Sequence, residues 1–115
     1  MFTKGKSHQE ERNLILNTLN ALDINHNLKN TSNRDIILKL DTLLSKTLQI
    51  YFNNKKTCGE NLKLAKSVFH RDEYNKLWEV HKMRNSVVHD LKEISDTELQ
   101  SSYKTYRIAI NKLIK

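Results

Sequence analysis

Chain-reversing residues are almost missing from this sequence. It has no proline and two glycines, Gly5 and Gly59, in 115 residues. Sandwiches and barrels need many tight turns, and tight turns lean on Gly and Pro. Nucleotide-binding α/β folds need a glycine-rich phosphate loop, and no such loop is present. What remains is an all-α chain, long enough for one domain over residues 1–115 with a single modest core. At 37% hydrophobic residues it can build that core.

Apolar periodicity places the helices. Ile15, Leu19 and Leu22, with Leu16 beside them, predict a first helix over about residues 7–23. The polar, Asn-rich stretch 25–33 reads as a loop. Ser32 or Asn33 caps a second helix with Asp35 in its first turn. Its stripe is Ile36, Ile37, Leu40, Leu43, Leu44, Leu48, Tyr51 and Phe52, ending in a break over 53–59. A short helix follows at about 60–69, carrying Leu62, Ala65, Val68 and Phe69. His70 and Arg71 read as a joint, with Asp72 a cap for a helix to about residue 90. Ser95 and Glu98 form a capping box for the last helix, and Ile94 can staple onto Leu99. Its core positions are Leu99, Tyr103, Tyr106, Ile110 and Leu113. The expected fold is an up-and-down bundle of four to five helices.

Charge and cysteine content narrow the partners. Twenty Lys and Arg against 13 Asp and Glu leave a net charge of +7. That balance favours an acidic partner, nucleic acid first. Cys58 is the only cysteine, so no internal disulfide is possible, and a reducing, cytoplasmic setting is expected. No Cys/His cluster has zinc spacing, so no metal and no cofactor is expected. Residues 1–13 lack the apolar core of a signal peptide, and no run is long enough for a membrane span.

The informative stretch is 74–91, YNKLWEVHKMRNSVVHDL. On a helical wheel Tyr74, Leu77, Trp78 and Val88 share a face, with His81 and Asn85 in its middle. Arg84 and His89 fall on its flanks, roughly 140° apart. Polar residues at the centre of an apolar stripe break the amphipathic rule and require partners. Either they bond each other or a neighbouring helix, or the stripe lines a polar cleft or a subunit interface.

Arg84-Asn85-Ser86-Val87-Val88-His89 reads R-N-x-x-x-H. It resembles the R-x4-6-H motif of the HEPN superfamily, in which a polar residue, often Asn, commonly follows the Arg. The preceding Leu77 and Trp78 are similar too. The resemblance covers about 20 residues. It implies a HEPN-like helical bundle that usually dimerises, and in many members a metal-independent endoribonuclease of toxin–antitoxin or defence systems. Others are non-catalytic modules that bind nucleotide, RNA or a partner protein. Carried onto this chain, Arg84 and His89 would be catalytic and Asn85 supporting. One subgroup, paired with a nucleotidyltransferase antitoxin, has a Tyr two positions after the His, where this chain has Leu91.

The chemistry suits the residue types. RNA supplies its own nucleophile, the 2′-hydroxyl, so an enzyme needs only to move protons and stabilise negative charge. Histidine, with an unperturbed pKa near 6.5, moves protons at neutral pH. Arginine stays charged, and its fork matches phosphate oxygens. The products would carry 2′,3′-cyclic phosphate and 5′-hydroxyl ends. One His does not easily serve as both base and acid, so a homodimer sharing one cleft is expected, with RNA as substrate and an antitoxin protein as a further partner. His81 is either a second base or RNA ligand, or a satisfied polar residue at an interface. Lys82 and Lys92 are expected to contact RNA, alongside Lys55, Lys56, Lys63 and Lys66. Trp78 reads as a core anchor. An unrelated basic bundle that binds nucleic acid or protein is the third reading.

Overall fold

In a computed structural model, residues 8–22, 24 and 31–114 are described. The expected loop at 25–33 and the ends of the first helix fall mostly outside them. Among the described residues five α-helices follow in order: α1 (His8–Ala21), α2 (Asn33–Phe52), α3 (Cys58–Leu64), α4 (Arg71–His89) and α5 (Asp96–Leu113). A 3-10 turn, Ala65–Ser67, extends α3. The fold is an all-α helical bundle. No helix among the described residues is long and apolar enough to cross a membrane.

The helix ends follow local chemistry. Ser32 caps α2 by accepting from the Asp35 amide, and Asn53 closes it in the left-handed region at φ 52. Asparagine tolerates that geometry. Thr57 and Glu60 form a capping box on α3, and Ser95 and Glu98 form one on α5. Their hydrogen bonds hold the Glu60 and Glu98 carboxyls below their ordinary range. α4 starts earlier than the sequence predicts. His70 is its N-cap, and Glu73 accepts from the His70 amide at 3.2 Å, so Asp72 lies in the first turn instead.

α2 is the central element and packs against each of the other four helices. Ile36, Ile37, Leu40, Leu44 and Leu48 are essentially solvent-free, as the stripe predicts; Tyr51 at its end is exposed. Each such Leu or Ile stabilises the fold by roughly 1.5–3 kcal/mol through burial. Leu19 of α1, Leu62 of α3, Leu77 and Val87 of α4, and Leu99, Tyr106 and Ile110 of α5 complete the core. Ile94 and Leu99 are both buried, as a hydrophobic staple requires.

Polar ties fix the ends of the bundle. Arg34 sits in the first turn of α2, where a cation opposes the helix dipole. Its Nη1 donates to the Val87 carbonyl at 2.8 Å, in the last turn of α4, where a cation is favoured. Asn54 and Asn61 exchange two amide hydrogen bonds, 2.8 and 2.9 Å, closing the α2–α3 link. Tyr74 donates to the Leu62 carbonyl at 2.9 Å, joining α4 to the end of α3.

After α4 the chain turns at Leu91, at φ 58 and 79% exposed. A left-handed leucine costs about 1–2 kcal/mol, and an exposed side chain recovers little of that by burial. Leu91→Gly should therefore raise stability by about 1 kcal/mol once the entropy glycine adds to the unfolded chain is subtracted. Thermal melting should rise by roughly 3–6 °C. An unchanged or lower melting temperature would mean that Leu91 makes stabilising contacts beyond its own turn.

Candidate functional site

The buried face of α4 is Leu77, Val80, His81 and Val87. It is rotated by roughly 70° from the face that Tyr74, Leu77, Trp78 and Val88 predict. The rotation moves Arg84 from a flank to the centre of the inward face. Periodicity misses this because it counts a guanidinium as an outward residue. A long Arg can lie along apolar surface and bring its charge to a buried partner.

That partner is Asp41 of α2, only 3% exposed. His81 Nδ1 lies 3.0 and 3.2 Å from its two carboxylate oxygens. Tyr106 of α5 donates its hydroxyl to Asp41 Oδ1 at 2.8 Å; the Val80 carbonyl is further off at 3.4 Å. Arg84 Nε stands 3.6 Å from Asp41 Oδ2, an ion pair too long to be a hydrogen bond. Arg84 Nη1 donates to Asn85 Oδ1 at 3.0 Å. Three helices thus converge on one buried carboxylate. His81 Nδ1 finds its partner on a neighbouring helix, not at Asn85.

Asp41, His81, Arg84 and Asn85 of this network line an open cavity of about 620 Å³, within the range of small-ligand sites. Asp41, Lys46 and Gln49 line it from α2, Cys58 and Gly59 from α3, and His81, Arg84 and Asn85 from α4. Lys46 and Gln49 also line a neighbouring cavity that contains Lys55, so cations continue along the surface from Arg84.

Among the sequence-derived candidates, the structure brings Arg84, Asn85 and His81 together. His89 lies at the exposed C-terminal end of α4, outside the residues lining this cavity. Lys82 is exposed on α4. Lys92 lies past the end of α4 and pairs with Glu98 at 3.3 Å. Trp78 is half-buried against the core and meets Tyr74 and His81 edge-on. Asp41, Lys46 and Tyr106 are the additions that the site brings.

Cys58 is the first residue of α3, yet it is buried. A helix N-terminus usually favours thiolate. Here burial and the Asp41 carboxylate win, pushing the thiol up to about 12. Burial and Asp41 likewise push the Tyr106 phenol well above its ordinary value. Both groups are therefore protonated at neutral pH. Donor atoms of Asp41, Cys58 and His81 lie within 4.8 Å of one another, the spacing of a possible metal site. Against that use, Asp41 already serves Tyr106 and His81, and Arg84 supplies the positive charge a cation would bring. The donor set suits a proton-holding network better.

Fold and site together define an all-helical bundle with a buried carboxylate–imidazole pair beneath an open, cationic cavity. The chain matches no protein-family model, no curated protein and no solved structure.

Proposed function

We propose that the chain is a metal-independent endoribonuclease of the HEPN type, acting in the cytoplasm as a toxin or defence effector. The observation that carries this reading is the placement of Arg84 and Asn85. The front half of the R-N-x-x-x-H motif walls an open cavity whose other cation is Lys46. Asn85 holds the guanidinium through Nη1, and other Nη hydrogens are left for phosphate oxygens. His89 follows Asn85 by four residues, so the two lie on one side of α4 a turn apart.

Arg84 and His89 point roughly 140° apart around the helix. One copy therefore presents phosphate binding and His89 in different directions. A two-fold homodimer packed through the α4 ends would bring His89 of one copy to Arg84 of the other. It would also double the positive charge facing an RNA backbone. A cell that makes such an enzyme needs to restrain it, and an antitoxin protein is the expected means.

The test is incubation of the purified chain with RNA in EDTA, wild type beside His89→Ala. Wild type is expected to leave 2′,3′-cyclic phosphate ends. The exposed His89→Ala variant should melt normally and cleave about 10²–10⁴ times more slowly. A wild-type chain without cleavage would overturn the reading. Full activity in His89→Ala would take the chemistry away from the motif.

A further inference from the structure

We propose that His81 is the general base of this site and that Asp41 positions it. The inference rests on the ribonuclease reading and adds a catalytic residue to it. Its ground is a geometry that the motif does not contain.

The ring of His81 has two distinct nitrogens. Nδ1 is committed to the buried Asp41 carboxylate at 3.0 Å. A carboxylate only accepts, so the neutral ring keeps its proton on Nδ1 and leaves a lone pair on Nε2. Nε2 has no hydrogen-bond partner among the described residues. It faces Gly59, where an added Cβ would stand 3.8 Å away. His81 and Gly59 both line the cavity beside Arg84. His81 therefore lines the cavity next to the phosphate-binding cation with only 8% of its surface exposed, while the carboxylate fixes the ring at Nδ1. Carboxylate–imidazole pairs in proton-transfer enzymes use this arrangement.

The charged and titratable groups around the ring leave it this role. Asp41 faces it from α2, Cys58 from α3, Tyr106 reaches the shared carboxylate from α5, and Arg84 lies on its own helix. Lys46 stands on the α2 wall. The Cys58 thiol and the Tyr106 phenol hold their protons at neutral pH, so neither competes as a base.

His81 Nε2 takes the proton of the RNA 2′-hydroxyl, and the 2′-oxygen bonds to phosphorus. The bond from phosphorus to the 5′-oxygen breaks, and the 5′-oxygen takes a proton from His89. His81 and His89 are eight residues apart, about 12 Å along α4. The acid must then come from His89 of a second copy. Base and acid become different residues, so no histidine has to do both in one step.

Two substrates separate the roles. One is RNA. The other is a uridine 3′-nitrophenyl phosphate diester, whose phenolate leaves without a proton. The full-length chain is assayed as wild type, His81→Gln, His81→Ala and His89→Ala, with circular dichroism as the check on folding. His81→Gln should lose about 10²–10⁴-fold on both substrates. His89→Ala should lose far more activity on RNA than on the nitrophenyl diester. Added imidazole should restore cleavage to His81→Ala, with a pH dependence that follows the imidazole. A purely structural role would not produce that dependence. Folded His81→Gln cleaving both substrates at wild-type rates, or His81→Ala unmoved by imidazole, would overturn the assignment of His81. A wild-type chain that cleaves neither substrate would instead remove the ribonuclease reading beneath it.

Discussion

Replacing Asp41 with alanine is expected to destabilise the fold by about 3–5 kcal/mol, as when one partner of a buried ion pair is removed. Thermal melting should fall by roughly 10–25 °C for a domain of this size. The size of the effect comes from what is left behind. Tyr106 loses the acceptor at 2.8 Å, His81 loses its Nδ1 partner, and the buried Arg84 Nε loses its nearest carboxylate. The two orphaned donors, the Tyr106 hydroxyl and His81 Nδ1, cost about 1–3 kcal/mol each, and Arg84 loses its ion-pair partner besides. Urea unfolding of Asp41→Ala beside wild type measures the loss directly. An unchanged melting temperature would mean that water reaches and satisfies these donors.

The same argument predicts a contrast. Asp41→Leu combined with His81→Leu, Tyr106→Phe and Arg84→Met removes the whole network at once. No donor is then stranded, and apolar packing can replace a buried polar cluster at little or no cost. The combined variant should regain much of the stability that Asp41→Ala loses. The network would then be worth little to the fold as a unit and very costly to break in part. Such a cluster is more readily explained by what it holds at the cavity than by the stability it provides.

How much of this was legible in sequence depended on whether the signal was local. The caps at Ser32 and at Ser95–Glu98 are local, and both are present. Thr57-x-x-Glu60 carries the same signature. Gly59 and the polar stretch before it hide it, because a glycine near a helix start reads as a breaker. The apolar stripe of α2 was legible from Ile36 to Leu48, but Tyr51 at its end is exposed, and one buried position inside the stripe is not apolar. Asp41 lies four residues after Ile37 and three before Leu44, inside the buried stripe. A carboxylate there breaks the amphipathic rule just as His81 does in α4. Two such breaks of opposite chemistry on two helices are a signal for each other. Periodicity, which scores one helix at a time, does not connect them. Tyr106 is harder still. Its burial was legible from spacing, whereas the hydroxyl's contact with Asp41, 65 residues away, is a property of packing alone. The roughly 70° rotation of α4 has the same origin. Only the facing carboxylate makes Arg84 an inward residue.

Arg84→Lys separates charge from shape at the centre of the site. Lysine keeps the positive charge opposite Asp41, so the stability loss should stay within about 1 kcal/mol, the scale of a partly solvated ion pair. It cannot keep the geometry. Arginine presents Nε toward Asp41 and Nη1 to Asn85 Oδ1 from one rigid plane, and its remaining Nη hydrogens can hold a phosphate at the same time. An ammonium on a flexible stem offers one point charge, which must choose between the buried carboxylate and the substrate. Asp41 is the stronger competitor, being buried and already in place, so the phosphate loses its donor as charge builds on its oxygens. On the proposed ribonuclease reading, cleavage should therefore fall by about 10²–10³-fold, as when a single donor to a developing oxyanion is removed. Rates of cyclic-phosphate formation, measured beside urea unfolding of the same variant, give both numbers. Near-normal stability with a large loss of cleavage places the guanidinium fork on the reacting phosphate. If Arg84→Lys cleaves at the wild-type rate, Arg84 contributes only charge, and the hydrogen bond it donates to Asn85 plays no part in the chemistry.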